Sequence, residues 1–314
     1  MAIEPELLAY LGGPSTADLH DIAGSRERER SLVAERIASR PALPAGMLVE
    51  DRVARDRADT RVPVRVYARG ASPRPRGALL FIHGGAFVFG DLEQDHERCL
   101  HYATNADVVV VAVDYRLAPE HPYPAGLDDV RAVLHWMCEH AEDLGVDPSR
   151  IAVGGASAGG ALAAGLTLRN LVEGGPALAA QLLLYPALDD RATTRSMSTF
   201  AEYDPWDGQR SRQMWPIYLG HPGDAPPYAA PARASDLSGC PTTFIMTCEE
   251  DPLRDEELVF AQRLLDAGVS VELHHYRGTY HAFDVIAPDT AISQRALEEQ
   301  TLFLDRVLTR RSTP

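Results

Sequence analysis

Two stretches near the front of the chain alternate apolar and polar positions. In residues 61–69, Val62, Val64, Val66 and Ala68 share one face, and residues 47–54 follow a looser version of the same pattern. A period of two belongs to a half-buried strand, so both are expected to be antiparallel strands with one face on a core. The polar link 55–60 is short enough for a hairpin, and Pro63 puts the second strand near a sheet edge. The pattern then changes. Residues 77–82 and 107–113 are almost continuously apolar, as in strands covered on both faces by helices. Further strands are expected at 151–153, 181–185, 242–247 and 269–276. Helices are expected between or after them at 127–140, 158–170, 255–267 and 292–310. Eight strands, the first two antiparallel and the rest mostly alternating with helices, predict an α/β fold with a doubly wound, mostly parallel sheet.

Two segments fall outside this alternation. Residues 1–46 look helical and polar. Within 25–37 only Leu32, Val33, Ala34 and Ile37 form an apolar stripe, too narrow for a deep core helix. Pro41 and Pro44 end it. Residues 189–238 show no strand pattern and hold Phe200, Tyr203, Trp206, Trp215, Met197 and Met214 among several prolines. The bland reading is a terminal extension and a packed surface insertion. The expectation here is that 1–46 and 189–238 together form a helical cap over a core made of 47–188 and 239–314.

Composition narrows the partners. A length of 314 residues suits one large domain, and 45% apolar with 24% charged residues is ordinary for a globular protein. A net charge of −15 disfavours nucleic acid and anionic membranes. All 30 basic residues are Arg, which excludes a Schiff-base lysine. Cys99, Cys138, Cys240 and Cys248 form no C-x-x-C pair, so no disulfide framework or zinc site is expected, and reduced thiols fit a cytoplasmic protein. The start, Met-Ala-Ile-Glu-Pro-Glu, lacks the basic head and apolar run of a signal peptide. No apolar stretch reaches the roughly 20 residues of a membrane helix.

The chemistry gathers around Ile151–Gly160. A short apolar run meets Gly155-Ala156-Ser157-Ala158-Gly159 and then a helix-forming run. G-x-S-x-G places a serine on a strained strand-to-helix turn, where neighbours two positions away must be small. The same five residues could be a Gly-rich turn with an incidental serine. A phosphate loop is a poorer fit, since no Lys follows the glycines. The remaining motifs decide. His83-Gly84-Gly85-Ala86-Phe87 directly follows a buried strand, where backbone N–H groups can turn inwards to meet an oxyanion. A serine nucleophile needs a base and an orienting acid, in the chain order Ser, acid, His. Of the later histidines, His274 and His275 lie within a strand and His221 in the cap. His281 follows the last strand, so it is the candidate base. Asp251, just past strand 242–247, is the candidate acid, with Asp255 expected to cap the next helix. No H-E-x-x-H or ligand cluster suggests a metal, and no cofactor is expected.

These pieces, in this order, resemble the hormone-sensitive-lipase-like group of α/β-hydrolase carboxylesterases. The match runs from Gly77 to Phe283. It includes Tyr115-Arg116-Leu117-Ala118-Pro119-Glu120, a stretch specific to the group whose residues suggest structural support rather than chemistry. The resemblance implies Ser157 as nucleophile, His281 as general base and acid, and Asp251 as its orienter. It implies an oxyanion hole from the N–H groups of Gly84, Gly85 or Ala86 together with Ala158. It also implies a cap and activity on short-to-medium acyl esters. The group often carries a third glycine where this chain has Ala86, so esters of tertiary alcohols are expected to fit less well. Two other readings stay open: an amidase, lactonase or deacetylase with the same triad, and a small-molecule binding module, against which His281 argues. The expected partner is a small-molecule ester. The last strand, if exposed at the sheet edge, could pair across a two-fold axis in a homodimer.

Overall fold

A computed structural model describes residues 3–12, 17–55, 61–70 and 72–309. The hairpin link falls largely outside them. Eight strands form one sheet in the order β1-β2-β4-β3-β5-β6-β7-β8. They are β1 (Met47–Arg55), β2 (Arg61–Arg69), β3 (Arg76–Ile82), β4 (Val109–Val113), β5 (Val146–Ala156), β6 (Ala180–Leu184), β7 (Thr242–Glu250) and β8 (Val271–Tyr280). The β1–β2 and β2–β4 pairs are antiparallel and the others parallel. Pro63 lies in register with Val53 of β1, just beyond the stretch of β2 that pairs with β4.

The helices are α1 (Ile22–Ser39), α2 (His96–Asn105), α3 (Ala125–Glu139), α4 (Ala141–Leu144), α5 (Ala158–Glu173), α6 (Arg195–Thr199), α7 (Gly208–Leu219), α8 (Arg254–Asp266), α9 (Phe283–Ile286) and α10 (Ala291–Leu308). Strand periodicity divides the core between the two faces of the sheet. Ala78, Leu80 and Ile82 of β3 join Val109, Val111 and Val113 of β4 against α3 and α5. The intervening Leu79, Phe81, Val110 and Ala112 pack against Cys99 and Tyr102 of α2 and Phe303 and Leu304 of α10. Among the described residues no helix is long and apolar enough to cross a membrane.

Several elements differ from expectation. Strand β5 is longer than 151–153 at both ends. At its carboxyl end Gly154 and Gly155 pair with Phe81 and Ile82 on one side and with Leu182 and Leu183 on the other. Glycine has little strand preference of its own, but tertiary pairing overrides that. Strands β7 and β8 also run further, to Glu250 and Tyr280, where those two residues pair. Helix α2 has no counterpart in the sequence reading. It buries His96 and Arg98 as well as Cys99, Tyr102 and Ala103, so its buried face carries no clear apolar period.

Candidate active site

Four loops lie at the carboxyl edge of the parallel strands, where ligands meet such sheets. The loops follow β3, β5, β7 and β8.

Ser157 joins β5 to α5 with φ 54 and ψ −117. A non-glycine residue in such backbone costs about 1–3 kcal/mol and persists only where its surroundings over-determine it. Here the Ser157 N–H donates to Leu184 O at 2.8 Å, and its carbonyl accepts from Ala161 and Ala187. The glycines leave room for this turn. A Cβ on Gly159 would run into the carbonyl oxygens of Ile82 and His83, and one on Gly155 would stand 2.5 Å from the Gly159 backbone.

His281 lies one residue beyond β8. Its Nδ1 is 2.7 Å from Asp251 Oδ2 and its Nε2 is 3.0 Å from Ser157 Oγ. Nδ1–H donating to Asp251 leaves Nε2 free to accept the serine hydroxyl, the tautomer a base needs. Asp251, one residue beyond β7, is fully buried, and its other oxygen accepts the Leu253 N–H at 2.9 Å. The residues singled out as nucleophile, base and acid thus form one hydrogen-bonded row. Asp255 does not cap α8. Its Oδ2 instead accepts the Ser196 N–H at 2.8 Å, tying the inserted segment to the acid loop. His221 is exposed and accepts from Gly223 N–H. His274 bonds Glu272 and Glu299, and His275 bonds Thr247.

Behind the acid lie two further carboxyls. Glu256 accepts the N–H groups of Leu188 and Asp189 at 2.7 and 3.1 Å. Glu257 is fully buried with no hydrogen-bond partner among the described residues. Burial first, and then the Asp251 carboxylate, push it well above the usual range. That burial and that neighbouring charge both favour its protonated form.

The loop after β3 turns sharply. Gly85, Ala86 and Phe87 have φ 100, 55 and 62. The two left-handed non-glycine residues cost about 1–2 kcal/mol each. Among the described residues the N–H groups of Gly84, Gly85, Ala86 and Ala158 donate to no protein acceptor. The first three residues line the cavity at Ser157, while Ala158 is the fully buried first residue of α5. The positive end of the α5 dipole reinforces this cluster of donors. His83 is no rival base: burial holds it down at about 4, and its Nδ1–H donates to Gly84 O at 2.8 Å.

The cavity measures about 690 Å³. Leu32 of α1, Phe89, Ile286, and Pro205 and Trp206 of the inserted segment wall it beside Ser157 and His281. Both candidate cap segments therefore contribute, and Gln213 of α7 meets His20 at 3.3 Å. Sequence reasoning missed the support of the histidine. The Tyr185 ring stands edge-on to His281, with centroids 5.0 Å apart. Its hydroxyl donates to Asp284 at 2.9 Å and accepts from the buried Arg98 at 3.1 Å. Arg98 also pairs with Asp95 and Asp284. Tyr185 directly follows β6 and Asp284 is three residues past His281, but nothing in the sequence links either to α2.

An eight-stranded, mostly parallel sheet with serine, histidine and aspartate in a row at its carboxyl edge is the arrangement of a hydrolase. Comparison with known proteins agrees. The family model for the alpha/beta hydrolase fold matches residues 79–285. Esterase LipI of Mycobacterium tuberculosis is 36% identical over 290 residues, which cover 90% of this chain and 88% of that protein. Among solved structures, a bacterial heroin esterase superposes with a TM-score of 0.93 at 39% identity over 99% of both chains. Esterase LipW from Mycobacterium marinum gives 0.87 at 41% identity over 97% of this chain and 96% of that one. The chain belongs to the α/β-hydrolase family, in the hormone-sensitive-lipase-like group that its motifs resemble.

Proposed function

We propose that the chain is a serine carboxylesterase that hydrolyses short-to-medium acyl esters through an acyl-enzyme on Ser157. The observation that carries the reading is the unbroken hydrogen-bonded row from Ser157 through His281 to the buried Asp251. Ser157 Oγ attacks the ester carbonyl while His281 Nε2 takes its proton. The resulting oxyanion is met by N–H groups of the 84–86 loop and Ala158. The C–O bond to the alcohol breaks, and His281 returns the proton to the leaving oxygen. Water then attacks the acyl-enzyme with His281 as base, releasing the acid and restoring the serine. Asp251 holds the ring and stabilises the imidazolium. The esterase names of the relatives support the bond type, and the apolar walls of the cavity support an acyl chain of modest length. We read the enzyme as cytoplasmic, on the strength of its four free cysteines.

The test is hydrolysis of p-nitrophenyl esters from acetyl to palmitoyl by wild type and Ser157→Ala. Wild type is expected to favour the short chains, and loss of the nucleophile to lower kcat on the order of a million-fold. Equal activity of the two would mean that Ser157 is not the nucleophile. An inert wild type that cleaves amides or lactones would move the protein to those bonds.

A further inference from the structure

The Tyr115–Glu120 stretch suggested no chemistry in the sequence, yet in the fold it clasps the 83–90 loop. The Tyr115 ring stacks on His83 with centroids 4.4 Å apart. Its hydroxyl donates to the carbonyls of His83 and Gly84 at 3.2 and 3.3 Å. The Ala118 N–H donates to Phe87 O at 3.0 Å. Arg116 anchors the stretch on α3 by pairing with Asp129 at 2.7 Å. A further clasp arrives from the cap. Arg26 of α1 donates through Nε to Val88 O at 3.0 Å and through Nη2 to Ala118 O at 2.8 Å. Its two terminal nitrogens also take both oxygens of Glu120, at 2.7 and 3.0 Å. One guanidinium therefore joins the cap helix, the 83–90 loop and the Tyr115–Glu120 stretch.

The loop needs such holding. Its residues 85–87 all have positive φ, and two of them bear side chains. That conformation lasts only while its surroundings impose it. The clasp holds carbonyls on both sides of the turn: those of His83 and Gly84 before it, and those of the strained Phe87 and of Val88 after it. Charge-assisted hydrogen bonds from a planar guanidinium suit this task. A lysine, a single point of charge, cannot reach all three acceptors at once.

We propose that Arg26 is a positioning residue that couples the seating of α1 to the geometry of the oxyanion loop, so that the donors are fully aligned only when the cap helix is docked. The proposal rests on the oxyanion role given above to the 84–86 loop. Because Leu32 and Glu29 of the same helix line the cavity, a substrate that holds α1 down also holds the donors in place. Cap closure then contributes to the chemical step as well as to binding.

Arg26→Ala, Arg26→Lys and Glu120→Gln would be compared with wild type by three measurements. These are kcat and KM on p-nitrophenyl butyrate, affinity for a boronic acid that forms a tetrahedral adduct on Ser157, and hydrogen exchange of the 83–90 peptide. Arg26→Ala is expected to lower kcat about tenfold or more with little change in KM, as small misplacements near reacting atoms do. It should weaken the boronate by a similar factor and speed exchange in 83–90. Arg26→Lys should recover part of each loss. Glu120→Gln should cost less than about threefold, since that side of the pair faces solvent. Arg26→Ala with wild-type kcat and boronate affinity, or with faster exchange confined to 22–39, would show that Arg26 only anchors the helix and would overturn the proposal. A wild type without Ser157-dependent hydrolysis would instead overturn the esterase reading, and the exchange result would still decide the coupling.

Discussion

Ala86 has left-handed backbone, is 4% exposed and lies on the cavity wall. Replacing it with glycine removes the methyl from the space beside the reacting carbonyl. It also relieves about 1–2 kcal/mol of backbone strain, partly offset by about 0.4–1 kcal/mol from the looser unfolded chain. Ala86→Gly is expected to raise kcat/KM for tert-butyl acetate relative to ethyl acetate. An unchanged ratio would show that the methyl does not set the limit. Asp114 offers a different test. Burial, aided by the negative charges of Asp91 and Asp129, pushes its carboxyl from 3.8 up to about 6. Below 3.8 both folded and unfolded chains hold the proton, and between 3.8 and about 6 only the folded chain does. Above that range the fold carries the full cost of a poorly solvated charge, so this contribution to stability falls as pH rises through the window. Asp114→Asn should therefore raise Tm at pH 8 and leave it nearly unchanged at pH 4. A rise of equal size at both would trace the effect to packing instead. The sequence pointed to Ser157, Asp251 and His281 because their chemistry demands a fixed chain order and small neighbours. It could not point to Tyr185, Arg98 or Arg26, whose partners are set by how separate elements pack.

At the scale of elements, the turn from β5 to α5 leaves little tolerance. Gly159 faces the carbonyls that end β3, so Gly159→Ala must push the helix from the strand. Overpacking of this kind costs about 3 kcal/mol at the upper end of its usual range, and esterase activity should fall with it. Chemical denaturation beside an ester assay would check this, and a variant as stable and active as wild type would contradict the packing described here. Strands with two covered faces were readable because their apolar runs are continuous. Their ends were less so. Gly154 and Gly155 read as the start of a turn but are paired rungs of a strand that runs to Ala156, since pairing with both neighbours imposes the conformation. Helix α2 escaped notice because its buried side includes His96 and Arg98, which the folded molecule makes tolerable through the Tyr67 hydroxyl on His96 and the ion pairs of Arg98 with Asp95 and Asp284.

For the whole molecule, β8 is an edge strand whose strand neighbour among the described residues is β7. Near its end the Glu4 N–H donates to Gly278 O at 2.9 Å, leaving the stretch around Leu273 as the open edge. Leu273 on it is 42% exposed, and Leu302 of α10 and Val259 and Leu265 of α8 are exposed in turn. Bare strand edges with apolar surroundings favour pairing with a like edge. We propose a homodimer formed through β8. Sedimentation should give twice the chain mass for wild type and a monomer for Leu273→Arg, and a monomeric wild type at micromolar concentration would sink the idea. The cavity has a wider consequence. Its reacting groups come from the sheet edge, but many of its walls come from α1 and from the segment around Trp206, which bear no part of the row. Inheritance can act on the two separately. Descendants of one ancestral chain could keep serine, histidine and aspartate in unchanged positions while drifting wall segments gave each lineage a different diet.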